Sequence, residues 1–198
     1  MKTPALAAAL LALPLTLGLG GCISFGAKPP PSLLTLTAAT PVAAGATQAA
    51  PGAGTITIAV PSVPQEVATL RVPVRAPPTT VAYLKDAQWV EPPNRLFARL
   101  LSDAVTTRTG RVVVGNRMFG EPGATMTGEL RSFGVDAATN SAVVTFDAAL
   151  VRASGSPLEK RRFEASVPVT TVAPVEVGVA LNQAANQVAG EVADWVGR

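Results

Sequence analysis

The chain has 198 residues, 48% of them hydrophobic, a formal net charge of +3 and no histidine, and this length is enough for one domain with a full core. Without histidine there is no Ser/His/Asp or Cys/His nucleophile and no histidine-ligated zinc, and the acidic residues are not grouped as in metal loops or acid pairs. The small, scattered charge also argues against a nucleic-acid partner, so we predict a protein that is not an enzyme and holds no metal or cofactor.

The N-terminus is predicted to be an export signal. A positively charged start precedes the uncharged residues 4–20, and these 17 residues are short for a membrane-spanning helix, which needs about 20. Small residues stand directly before Cys22, as they do at signal-peptide cleavage sites. Residues 1–21 are therefore predicted to be a lipoprotein signal peptide that is removed by cleavage between Gly21 and Cys22.

Cys22 is the only cysteine, and it follows Leu19-Gly20-Gly21 as in a lipobox. A lone free thiol is a liability in an oxidising compartment, and acylation removes it. Several acyl chains would anchor the protein permanently. We predict a covalent lipid on Cys22; the other interpretation, an unmodified cysteine in a signal cut elsewhere, stays open. Ile23 and Ser24 follow, not the aspartate that retains lipoproteins at the inner membrane, which predicts the periplasmic face of the outer membrane.

The mature chain is predicted to begin with a tether. Residues 22–32 form this lipidated tether, and the prolines at its end favour extended backbone. A single domain is predicted over residues 33–198, with a short apolar strand at residues 32–37 leading into it. Residues 38–54 are rich in alanine, proline, glycine and threonine and carry no charge, so we predict a flexible insertion outside the core.

The first regular segment of the domain is residues 55–60. Apolar and polar residues alternate there, which predicts a half-buried strand with Ile56, Ile58 and Val60 on one face. Residues 70–75 and 79–84 are predicted to be two further strands. Because the prolines between them cannot donate to a ladder, they should form a hairpin with an irregular turn.

Residues 92–109 are predicted to form a helix, since prolines open the segment and Gly110 ends it. One stripe of this helix is apolar and faces a core. Its members are Phe97, Leu100, Leu101, Ala104 and Val105.

The remaining elements are four more strands, of which the last two form a hairpin, and a last helix. A short strand is predicted at residues 111–114, and residues 124–135 should be a strand with a bulge near Arg131, where the apolar phase slips. Residues 143–151 and 161–169 alternate so that one face meets a core and the other meets water or a partner. The last helix is predicted at residues 174–195, with an apolar stripe of Val177, Leu181, Ala184, Val188, Val192 and Trp195.

This order of elements predicts an α+β fold, in which a largely antiparallel sheet packs against two main helices in two layers. Tyr83 and Trp89 combine an apolar ring with a polar group, as residues at binding hot spots do. Packing in the core and contact with a partner both stay open for these two, whereas Trp195 is expected in the core. The basic run at residues 160–162 is interpreted as a solvated hairpin end, or else as a contact for anionic lipid or an acidic partner.

Taken together, these features resemble the ABC-type transport auxiliary lipoproteins. The resemblance covers residues 33 to 196 and lies in the lipobox, the strand that leads to Pro61 and Pro64, Tyr83 followed by Trp89 and Glu91, and the alanine-rich last helix ending in Asp194-Trp195-Val196. The insertion at residues 38–54 and Val90 depart from the usual pattern. None of the shared positions is catalytic, so the resemblance implies an architecture and a system.

The family, which includes PqiC-type lipoproteins, resembles accessory subunits of envelope lipid transporters built from an ABC ATPase, a permease and a periplasmic protein with a mammalian-cell-entry (MCE) domain. The resemblance implies that this chain anchors or docks the MCE component at the outer membrane. Two alternatives stay open: the domain binds and carries lipid itself, or it assists outer-membrane assembly by presenting a sheet edge. A homo-oligomer is also left open.

Overall fold

The computed structural model describes residues 32–50, 54–76, 79–115, 122–153 and 155–198. The predicted signal peptide, Gly21, Cys22 and the tether up to residue 31 lie outside these ranges. Within them the chain forms two helices, α1 (Pro93–Thr109) and α2 (Pro174–Val196). The strands are β1 (Ser32–Leu34), β2 (Thr55–Ile58), β3 (Pro73–Ala76), β4 (Thr80–Tyr83), β5 (Ala87–Trp89), β6 (Val112–Val114), β7 (Thr125–Asp136), β8 (Ser141–Val151) and β9 (Glu159–Pro168).

Most of the strands form one mixed sheet around β7. On one side of β7, the antiparallel strands β8 and β9 follow in order. On the other side β2 pairs in parallel with the beginning of β7, and β3 pairs in parallel with its end. Two short strands therefore share one edge of β7, and each carries a further strand, β6 on β2 and β4 on β3. β1 and β5 form a separate parallel pair.

The bulge predicted near Arg131 is confirmed, because the pairing of β7 with β8 shifts between Leu130 and Ser132. Side chains alternate along a strand, so one extra residue brings Phe133 onto the face that Leu130 already occupies. Both side chains are buried in the core. The bulge thus keeps the apolar face of β7 continuous along its whole length.

Both helices pack on the same face of the sheet. Phe97 of α1 contacts Phe146 of β8, with ring centroids 5.3 Å apart, and Trp195 of α2 contacts Phe163 of β9, with centroids 5.6 Å apart. Burying a large apolar side chain of this kind contributes about 1.5–3 kcal/mol. The predicted fold class is confirmed: a single α+β domain with two helices on a sheet.

The helix ends follow from local chemistry. α1 has proline at its start, where the missing N–H would have no helical partner in any case. Gly110 ends it in the left-handed region with φ 69°, and its N–H donates to the Thr106 carbonyl oxygen at 3.0 Å. The predicted stripe of α2 is fully buried, and it consists of Val177, Leu181, Ala184, Val188, Val192 and Trp195.

The prediction for residues 55–60 is wrong in two respects. β2 lies between β6 and β7, and its residues Thr55, Ile56 and Thr57 are all buried, so it is not half-buried. It also ends at Ile58, which leaves Val60 54% exposed. Alternation in the sequence does not show which strands or loops cover a face, and here the short strand is covered on both faces.

The segment after β1 runs along α2. The N–H groups of Thr37 and Ala39 donate to the side-chain oxygens of Asn182 and Asn186, at 2.9 and 2.7 Å. Asn186 also donates from Nδ2 to the Thr37 carbonyl oxygen at 3.0 Å. The two asparagines lie one helical turn apart, and together they bind the backbone at the start of residues 38–54, where the sequence predicts a flexible insertion.

Candidate functional site

The described residues contain no group of three or more His, Cys, Asp or Glu side chains that could hold a metal ion. No helix in the same part of the chain is long and apolar enough to cross a membrane. Cys22, the predicted acylation site, lies outside the described residues, ten residues before Ser32, where β1 begins.

Trp89 lies inside the domain. It is only 1% exposed, and its ring packs on Phe133 with centroids 5.2 Å apart. Its Nε1 has no hydrogen-bond partner among the described residues. Of the two interpretations of this residue, the structure places it in core packing, and a role in contacting a partner would require the core to open.

Tyr83 lies at the edge of the sheet. It is the last residue of β4, which pairs with β3 alone among the described strands. The Arg71 guanidinium carbon lies 3.9 Å from the centroid of the Tyr83 ring, a cation–π contact. Leu70 and Val81 are exposed beside them. These four residues, Leu70, Arg71, Val81 and Tyr83, form what we call the β4 surface. Tyrosine and arginine are residue types enriched at binding hot spots.

The outer face of β7, β8 and β9 is charged. Arg162 donates to both carboxylate oxygens of Asp147, at 2.6 and 2.7 Å, and Arg131 lies 3.7 Å from the same carboxylate. Arg161 covers the Phe163 ring at 4.8 Å. Two of the three basic side chains at residues 160–162 thus have partners inside the domain, which favours a solvated face over an anion-binding cluster.

Three ion pairs lower the pKa of the carboxyl group that they contain. The hydrogen bond from Arg162 holds the pKa of Asp147 below its usual range. Arg99 lowers the pKa of Glu91 in the same way, and Arg152 lowers that of Glu159. A general acid near neutral pH needs a raised carboxyl pKa, so these three pKa values have moved in the opposite direction.

A small apolar surface lies where β1 meets the beginning of α2. Leu33, Val175 and Val179 are 62%, 70% and 65% exposed, and they line an open groove of about 560 Å³ between β1 and α2. A side chain at Gly178 would press on Leu34, so the glycine lets β1 approach the helix closely. We call Leu33, Val175 and Val179 the proximal patch, because they lie beside Ser32, the first described residue.

Sequence reasoning missed β5, the asparagine contacts and the proximal patch. One signal was available: Val175 and Val179 are four residues apart, outside the main stripe of α2, which indicates a second apolar pair on its exposed side. The pairing of β1 with β5 had no such signal. It joins segments more than fifty residues apart, and short three-residue strands carry little periodicity.

Comparison with protein families shows where this architecture belongs. The model of the ABC-type transport auxiliary lipoprotein component matches residues 34–193. The chain belongs to this family. No curated protein shows a significant match to the sequence.

Two solved structures show the same fold. Protein XCC0632 from Xanthomonas campestris, of the DUF330 family, is 21% identical with a TM-score of 0.63, and the match covers 84% of this chain and 91% of that one. A second, uncharacterised protein is 15% identical with a TM-score of 0.67, covering 83% and 97% of the two chains. A PelC dodecamer from Paraburkholderia phytofirmans is more distant, with 7% identity and a TM-score of 0.49 over 76% and 94% of the chains.

Proposed function

We propose that the chain is a non-catalytic lipoprotein subunit of an ABC transporter that moves lipid across the envelope, anchored to the periplasmic face of the outer membrane. In this role it docks the periplasmic MCE component of the transporter. The observation that carries the proposal is the family match over residues 34–193, because it covers nearly the whole folded domain. The chemistry agrees, since the sequence has no histidine and the pKa values of Glu91, Asp147 and Glu159 are lowered.

Acylation of Cys22 supplies the anchor in this proposal. It is supported by the lipobox-like residues before Cys22 and by the short distance in sequence between Cys22 and the first strand. Mass spectrometry of the purified protein should show a new N-terminus at an acylated Cys22. A Cys22→Ala variant should lose the lipid and leave the membrane fraction. A wild-type protein that keeps residues 1–21, or carries no lipid, would contradict the anchor.

The β4 surface is our candidate for the docking contact. Its strand edge is free of other described strands, and Tyr83 and Arg71 are already held together by their cation–π contact. A partner therefore meets a pair of large side chains that loses little conformational entropy on binding. Trp89 supports this surface through its main chain, since the backbone N–H of Trp89 donates to the Leu70 carbonyl oxygen at 2.7 Å.

Photo-crosslinking in the intact envelope tests this contact. A crosslinker at position 83 should capture the MCE-domain protein, while one at Leu158, which is exposed in the β8–β9 connection, should not. Tyr83→Ala should weaken recovery of the MCE-domain protein about tenfold or more, and Leu158→Ala should leave it unchanged. Recovery of neither an MCE-domain protein nor an ABC component with the wild type would sink the proposal.

A further inference from the structure

The path of the chain shows from which side the tether reaches the domain. Leu34 lies at Gly178, Thr37 at Asn182 and Ala39 at Asn186, so β1 and the residues after it advance along α2 in the direction of its C-terminus. Ser32, where the described part of this segment begins, therefore lies beside the N-terminus of α2. The proximal patch lies directly beside Ser32.

The same end of the domain carries two connections without charged residues. The β7–β8 turn, residues 137–140, and the β9–α2 connection, residues 169–173, lie together because the Val169 N–H donates to the Asn140 carbonyl oxygen at 2.8 Å. Neither segment contains a charged residue, and Val172 is exposed in the second. We call this the proximal end; the charged groups beside it are Asp136, Arg75 with its ion-pair partner Glu66, Glu176, and Lys85 with Asp86.

The opposite, distal end is charged. There the Arg152 guanidinium donates hydrogen bonds to the last carbonyl oxygens of α2 and forms an ion pair with Glu159. Arg108 forms an ion pair with Asp194 at 2.8 Å. α2 has 23 residues and is therefore about 35 Å long. Both ends thus carry charged groups, and the proximal end differs in that three exposed aliphatic side chains are grouped there beside Ser32, the first described residue.

We propose that the proximal patch lies against the phospholipid surface to which Cys22 is anchored and so sets the orientation of the domain on the membrane. This rests on the proposed function, because it requires an acylated Cys22. Ten residues reach at most about 35 Å when fully extended, so the anchor keeps the patch within that distance of the lipid.

Lipid fits this patch better than a protein partner does. Three aliphatic side chains form too small a surface to bind a membrane alone, but the tether makes the contact intramolecular and so raises its effective concentration. The neighbouring turns offer threonine and asparagine side chains, which can bond to headgroups.

The orientation can be measured because acylation leaves the chain without a free thiol. Full-length acylated protein with Val175→Cys or Leu158→Cys is labelled with a thiol-reactive fluorophore and placed in vesicles of phosphatidylethanolamine and phosphatidylglycerol. Nitroxide-bearing lipids then quench labels near the bilayer. We expect several-fold stronger quenching at position 175 than at position 158, and equal or reversed quenching would overturn the proposal.

Two controls keep the result specific. Wild-type protein should not react with the fluorophore; a reaction would contradict acylation of Cys22 and hence the proposed function, independently of any quenching. In a Leu33→Cys background, the exposed substitutions Val175→Asp and Val179→Asp together should reduce quenching at position 33 to the level at position 158. Undiminished quenching there would show that the patch does not hold the domain to lipid.

Discussion

The two sides of β7 are built in different ways. On one side β8 pairs with it from end to end, and the register extends from Thr125 and Val151 to Asp136 and Ser141. On the other side β2 and β3 each pair with only a few residues at opposite ends of the strand. The long side is held by alternating apolar side chains under the two helices, whereas the divided side depends on backbone segments that come very close together.

Gly134 shows how close this approach is. A Cβ atom at this position would overlap the carbonyl oxygen of Pro73, in β3. β3 can therefore reach β7 only because residue 134 has no side chain. The difference teaches that the divided side is sensitive to added side-chain volume. The long side is sensitive to the loss of volume and also, at Gly128, to its addition, because a Cβ atom there would overlap Phe146 and the Asp147 carbonyl oxygen.

The largest effect is expected from removing side-chain volume on the long side. Phe146 is 1% exposed and contacts Phe97 of α1, so Phe146→Ala should lower the free energy of unfolding by about 3–5 kcal/mol. Urea denaturation measures this loss. Val143→Ala, on the opposite face of β8 and only partly buried, is the control and should cost much less. Equal losses would contradict the importance of the inward face.

A smaller effect is expected from adding volume on the divided side. Gly134→Ala should lower the free energy of unfolding by about 1–3 kcal/mol, because β3 must move away from β7. Gly115→Ala is the matched control: nothing lies within 4 Å of its added Cβ atom, and the substitution should be neutral or stabilising by up to about 1 kcal/mol. If both variants matched the wild type, the close approach of β3 would not be needed for stability.

The smallest effect concerns the charged outer face of the long side. The pKa of Asp147 is lower in the folded protein than its ordinary value of 3.8, because Arg162 donates to it. The pair therefore stabilises the fold fully above this ordinary pKa, and the contribution is lost as the pH falls through the lowered value. Exposed pairs contribute little, so the change should be slight.

Asp147→Asn tests this assignment. Denaturation midpoints of the wild type and the variant should differ at neutral pH and converge in acid, where the carboxyl group of the wild type is protonated. Glu129→Gln, on the neighbouring strand, is the control and should retain the pH dependence. A constant difference between wild type and Asp147→Asn at every pH would contradict the role of this carboxylate.

Much of the long side was predictable from the sequence. The alternation over residues 143–151 and 161–169 and the phase slip near Arg131 correctly predicted an antiparallel hairpin and a bulge. The divided side was predicted less well, because β2 was expected to be half-buried. Outside this sheet, β5, which pairs with β1, was missed. Short strands offer few residues for a pattern, and their burial depends on which distant segments cover them.

The candidate surfaces show the same division. Tyr83 and Trp89 are both aromatic residues with a polar group and lie only six residues apart, so no local pattern separates their roles. Tertiary packing decides them, because Trp89 fills space beside Phe133 while Tyr83 ends an edge strand next to Arg71. The proximal patch was missed because Leu33 and Val175 are brought together only by the path of β1 along α2.

By itself the sequence determined the two helices, their ends and buried stripes, the long hairpin and the bulge, because each depends on residues within a turn or two or on a repeat along one segment. Only the tertiary structure decided how β2 and β3 share an edge of β7, which of the two aromatic residues is buried, and that β1 begins beside the proximal patch. These features depend on contacts between residues far apart in the chain, and local periodicity carries no information about such contacts.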